Sequence, residues 1–78
     1  MAAAMCENGN TVQSVADIGR QIRQDRKRRG MTQADFAMSV GVGRRFIIDL
    51  ERGKETIEVG KMLNVLVQAG FIVRIGKE

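Results

Sequence analysis

A chain of 78 residues makes a single domain, and its core is too small to be secure without a disulfide, a metal or a partner chain. Cys6 is the only cysteine and histidine is absent, which rules out an internal disulfide and leaves a zinc site with a single thiol and no imidazole. The formal charge of +4, thirteen basic against nine acidic side chains, favours a polyanionic partner, and no run reaches membrane-spanning length.

Residues 1–13 show no sustained period and carry Asn8-Gly9-Asn10, so they read as a flexible N-terminal tail ahead of a domain over 14–78. The start "MAAAM" lacks a basic flank and a long apolar core, and the lone thiol suits a reducing compartment. Both point to a cytoplasmic protein. Ser14 with Asp17 resembles a capping box, and Val15, Ile18 and Ile22 then share one helical face. Gly30 closes this first helix behind Arg26-Lys27-Arg28-Arg29, a basic run that complements the negative end of the helix dipole.

Thr32 and Asp35 repeat the box for a second helix with Phe36, Ala37 and Val40 inward, ended by Gly41. Gly43 opens a third helix whose buried residues are Ile47 and Leu50, and Gly53 ends it. Thr56 is the expected cap of a fourth helix with Val59, Met62, Leu63, Leu66 and Val67 as its apolar face, closed by Gly70. The last segment, 71–75 ("FIVRI"), is β-rich and too short for a helix.

The middle of the chain carries the most specific signal. Ala37 lies four residues after Gln33, Gly41 four after Ala37, Ile47 six after Gly41 and Leu50 three after Ile47. Ala37 has to be small where two helices cross. Gly41 takes the positive φ of a sharp turn. Ile47 and Leu50 pin the next helix to the core. This is helix-turn-helix spacing, with the second helix of the pair free to enter a major groove.

The stretch "RKRRGMTQADFAMSVGVGRRFIIDLERGK" resembles the phage repressor/Cro-type (XRE) family of DNA-binding domains. The resemblance implies an all-α, lambda-repressor-like bundle of about four helices, extending over residues 14–70. "TIEVGKMLNVLVQAGFIVRI" is further similar to the HipB-like antitoxins, in which a helix is followed by a short terminal strand. That likeness implies an antitoxin that represses its own operon and holds a HipA-like kinase toxin inactive.

The family pattern implies a role for particular residues. Gln33 resembles the glutamine that reaches a phosphate and braces the reading residues. Arg44 and Arg45 fall in the first turn of the recognition helix, where arginine pairs with guanine O6 and N7. Asp49 lies four residues beyond Arg45, placed to hold it or to accept from a cytosine amine. Ile48 suits a thymine methyl. Arg52 and Lys54 are expected on backbone phosphates, which position without specifying sequence. Gly43 stands where many members have Ser or Thr, losing a side-chain cap and a phosphate contact. Arg26 and Glu51 match a buried structural ion pair of the family.

Plainer readings stand beside these. The basic run is an ordinary solvated helix end apart from Arg26. Gln33 on its own would be a capping residue, and Arg44-Arg45 a surface pair. Cys6 has no neighbour that activates it. No nucleophile–base set or paired carboxylates suggest an enzyme, and no cofactor is expected.

Nothing else in the sequence reads as β, so the strand over 71–75 is expected to pair with its copy in a homodimer, through Leu66, Val67, Phe71, Ile72, Val73 and Ile75. Such a dimer would read double-stranded DNA at an inverted repeat, as a nucleoid-associated repressor. Two alternatives are a stand-alone phage-type repressor without a toxin, and a protein-interaction scaffold that has lost DNA binding.

Overall fold

The computed structural model describes residues 3–6 and 11–77. Four helices build the domain: α1 (Val15–Arg28), α2 (Gln33–Val40), α3 (Arg44–Glu51) and α4 (Val59–Gln68). The fold is all-α in class. Its centre is formed by Ile22, Phe36, Ile47, Leu50, Val65 and Leu66, all fully buried, with every helix contributing.

Local chemistry sets the helix ends. Ser14 Oγ accepts from the Asp17 N–H at 3.3 Å, while the Asp17 carboxylate takes the Gln13 N–H rather than that of Ser14. The start of α2 is a full capping box, with Thr32 Oγ1 accepting from Asp35 N–H and Asp35 Oδ2 from Thr32 N–H. Gly43 caps α3 without a side-chain bond. Gly41 and Gly53 adopt φ of 76° and 78°, the left-handed conformation that lets the chain reverse after α2 and α3.

The start of α4 differs from the expected Thr56 cap. Ile57 is drawn into the core and its N–H closes a turn on the Lys54 carbonyl, which delays the helix. Glu58 then caps it, its two carboxylate oxygens accepting from the Gly60 and Lys61 N–H groups at 2.9 and 2.8 Å. The buried face also differs. Met62, Val65, Leu66 and Ala69 face the core, whereas Val59, Leu63 and Val67 are exposed. Apolar residues cover more than one stripe of this helix, so periodicity alone could not select the face. Contacts from α2 and Ile57 select it.

The N-terminal segment departs from the flexible-tail reading. Strand β1 (Ala3–Cys6) pairs antiparallel with β2 (Thr11–Val12) and with β3 (Val73–Gly76), in the order β2-β1-β3. Ala4 faces Ile75, Met5 faces Arg74 and Cys6 faces Val73. The terminal strand therefore has a partner inside its own chain on one edge. Alanine-rich "AAMC" has no alternation to betray a strand; pairing with the β3 backbone defines it. Val12 is buried, which fixes the return strand to the helices. Residues 7–10, with Asn8-Gly9-Asn10, lie outside the described residues.

Strand β3 begins two residues later than the expected 71–75 segment. Phe71 and Val73 pack against the helical core, as alternation requires, but Ile75 is 83% exposed because the strand has run past the helices. Leu66 is in the core, while Val67 and Ile72 remain on the surface.

Candidate nucleic-acid interface

The α2–α3 pair is clamped from behind by α1. A Cβ at Gly19 would lie 2.2 Å from the Leu50 carbonyl oxygen, so only glycine allows α1 this close to the end of α3. At Gly53 a Cβ would meet Ala16 at 2.9 Å. Ile47 and Leu50 point inward from α3, which turns Arg44 and Arg45 outward to solvent. The geometry follows from the 100° step of a helix: anchoring one side presents the other.

Arg45 and Asp49 share one face of α3, with Arg45 Nε 3.2 Å from Asp49 Oδ1. The other carboxylate oxygen, Oδ2, is 3.7 Å from Lys54 Nζ in the following loop. Asp49 therefore lies between two cations, one from the helix and one from the loop. Arg44 and Arg52 are exposed, and neither has an ion pair among the described residues. Ile48 is half-buried, and Gly43 is open, with nothing near where a Cβ would stand.

Behind this surface lies a second group. Arg26 donates from Nε to Glu51 Oε2 at 2.7 Å and from Nη2 to Glu51 Oε1 at 3.0 Å. Its Nη1 donates to the Met31 carbonyl, tying α1 to the start of α2. The side chains are 12% and 5% exposed, so this is a buried bidentate pair. Its hydrogen bonds to Glu51 raise the Arg26 pKa against the opposing effect of burial. Gln33, the first residue of α2, joins the pair: its Nε2 donates to Glu51 Oε1 at 3.3 Å.

Three features were not anticipated from the sequence. Asp25 is buried and sits between Arg28 and Arg29; Arg29 Nε lies 3.0 Å from Asp25 Oδ2, answering its charge without the alignment of a hydrogen bond. Arg29 Nη2 also donates to the Ala69 carbonyl at 2.6 Å, joining the ends of α1 and α4. The basic run thus holds the bundle together as well as complementing a dipole, and Asp25 at i−3 and i−4 from two arginines was the available signal. Finally, Lys61 Nζ lies 5.8 Å from the centre of the Phe46 ring, which brings one more cation beside α3.

A buried helix pair, a sharp glycine turn and an outward basic second helix define a helix-turn-helix DNA-binding domain. The profile of the helix-turn-helix family HTH_3 matches residues 22–65. An uncharacterized HTH-type transcriptional regulator of Sinorhizobium fredii, y4mF, is 44% identical over 64 residues, a match covering 82% of this chain and 84% of that protein. The chain belongs to the HTH_3 family, the helix-turn-helix group of the phage repressor type, whose members are DNA-binding transcriptional regulators and not enzymes. Among the described residues, no helix is long and apolar enough to cross a membrane.

Proposed function

We propose that the chain is a sequence-specific repressor that binds an inverted-repeat operator as a homodimer. The observation that carries this reading is the outward presentation of Arg44 and Arg45 from the first turn of α3, opposite the buried Ile47 and Leu50. Arg44 and Arg45 read bases, with Asp49 orienting Arg45 and Ile48 offering apolar contact. Gln33, Arg52 and Lys54 put their side chains against backbone phosphates, and Gly43, which has no side chain, offers only its backbone there. Half to two-thirds of protein–DNA hydrogen bonds are of this positioning kind and carry no sequence information directly.

The test uses a duplex enriched by the protein from a randomised library and a random-sequence duplex of equal length. Arg45→Ala should cost ~1–3 kcal/mol on the enriched duplex and less on the random one. Equal losses on both would remove the base-reading role.

The homodimer reading is supported by two unsatisfied surfaces. One edge of β3 is paired with β1, and the other has no strand partner among the described residues. Val59, Leu63 and Val67 form an exposed stripe at i, i+4, i+8 along α4. A two-fold partner would cover both and set two recognition helices roughly 34 Å apart, one turn of B-DNA.

The finer reading is that of a HipB-like antitoxin in a type II toxin–antitoxin pair, acting in the cytoplasm at the nucleoid. The order of elements supports it: a helix closed at Gly70 and followed by a terminal strand. Its partner would be a HipA-like kinase. Co-expression with a kinase-like frame adjacent to the gene is the test. A stable complex is expected, and failure to co-purify would leave a stand-alone repressor.

A further inference from the structure

We propose that Glu51 is a positioning residue for DNA binding, acting through Gln33. Its carboxylate fixes which face of the Gln33 amide is offered to a backbone phosphate. The proposal rests on the reading of Gln33 as a phosphate contact.

A glutamine amide has two ends of nearly equal shape, one that donates and one that accepts. A phosphate only accepts, so it must meet the amide at its NH2 group. Glu51 removes the ambiguity. Its oxygens are held by a guanidinium that can only donate, at 2.7 and 3.0 Å, and they accept from that side. The end of Gln33 facing Oε1 must therefore be the NH2 group, found at 3.3 Å. One of its two N–H bonds is spent on Glu51, and the second remains for an outside acceptor.

The placement suits that task. Gln33 is the first residue of α2, in the first turn after the Thr32 cap, where backbone N–H groups have no acceptor within the helix. Only a half-buried side chain bridges the interior to this end of the helix. Glu51 itself is 5% exposed and cannot touch DNA. Its negative charge is offset by Arg26, which keeps the phosphate approach from being repelled. Glu51 ends α3, whose first turn carries Arg44 and Arg45. The same carboxylate therefore couples the phosphate-facing start of α2 to the reading helix.

The experiment is a double-mutant cycle on DNA affinity with Gln33→Ala and Glu51→Gln, measured on the enriched and random-sequence duplexes at a temperature below all four melting transitions. Glu51→Gln keeps the shape but lets the neighbouring amide present either end. Gln33→Ala should weaken binding about tenfold on both duplexes, as loss of a hydrogen bond to a charged group implies. Glu51→Gln should weaken binding severalfold when Gln33 is present. In the Gln33→Ala background it should be neutral or slightly tightening, because charge alone favours losing a carboxylate near phosphates. An equal factor in both backgrounds overturns the positioning role and leaves Glu51 purely structural. A silent Gln33→Ala overturns the phosphate contact itself, and the positioning role with it. Should Glu51→Gln fail to fold, the wild-type protein decides by NMR. One Gln33 side-chain amide proton should be shifted downfield in the free protein, and the other should move on adding the random duplex. Both at free-glutamine positions in the unbound protein would overturn the proposal.

Discussion

Asp49 shows how one carboxylate can serve two cations of different purpose. It lies 3.2 Å from Arg45 Nε and 3.7 Å from Lys54 Nζ, and its own side chain is 18% exposed. Both partners are largely solvated, so each pair adds only ~0.2–1 kcal/mol to stability. Its larger effect falls on DNA. Asp49→Asn should raise affinity for a random duplex a few-fold, since a negative charge leaves the phosphate-facing surface. It should also lower discrimination, because Arg45 loses its guide; fluorescence anisotropy on enriched and random duplexes would show both, and unchanged discrimination would discard the guiding role. Gly19 acts through space alone. Alanine there would put a Cβ 2.2 Å from a backbone oxygen of Leu50, which cannot swing aside. Gly19→Ala should therefore destabilise by ~1–3 kcal/mol, the usual cost of overpacking. Gly43→Ser should instead gain a few tenths of a kcal/mol, because its φ of −75° is ordinary, the site is open and a cap is restored. Thermal melts of the two variants should move in opposite directions.

Between elements, the strongest tie is Arg26–Glu51, which binds the far end of α1 to the end of α3 and, through Met31, to the start of α2. Removing one partner strands a buried charge, so Glu51→Ala should cost ~3–5 kcal/mol. Glu55→Ala is the appropriate control, exposed and in no ion pair among the described residues, and should stay within about 0.5 kcal/mol. Glu58→Ala is no neutral comparison, since Glu58 caps α4 and its loss should cost ~1 kcal/mol. Urea unfolding should rank Glu51→Ala as the least stable, then Glu58→Ala, then Glu55→Ala, and coincident Glu51 and Glu55 variants would make the pair unimportant. These ties also show what a sequence can disclose. The α2–α3 unit was legible because each of Ala37, Gly41, Ile47 and Leu50 has a separate steric reason at a fixed spacing. The face of α4 was not, because Val59, Leu63 and Val67 are as apolar as Met62, Val65 and Leu66, and only neighbouring elements decide which group is covered. Strand β1 was hidden for a related reason: a strand of "AAMC" is specified by the edge it meets, and β3 comes almost seventy residues later. The Gln33–Glu51 bond joins residues from different helices, and no local pattern encodes it.

At the scale of the whole molecule, the unresolved physical problem is exposed apolar surface on a chain of 78 residues. Val59, Leu63 and Val67 run along α4, and Ile72 and Ile75 continue the exposed apolar surface through the terminal segment. Single exposed apolar residues are ordinary, but an i, i+4, i+8 stripe followed by two further isoleucines is a surface that favours a partner. Strand β3 adds an edge that is open among the described residues, since β1 occupies only one side of it. The homodimer proposed above would extend the sheet across the two-fold axis without displacing β1, giving β1 and β2 outer positions in each copy. Truncating the terminal strand is a poor test, because it would also remove the core contacts of Phe71 and Val73 and leave β1 unpaired. Val67→Asp separates the two effects. Val67 is 66% exposed, so in a monomer the change should shift stability by no more than about 0.5 kcal/mol. In a dimer it would bury two like charges near the axis, and the subunits should separate. Sedimentation at micromolar concentration should show a dimer for the native chain and a monomer for the variant, whose helical circular dichroism is unchanged. The variant should then bind the enriched duplex with the weak affinity of one half-site. A native chain that sediments as a monomer, or a Val67→Asp variant that remains dimeric, would remove this face from the interface.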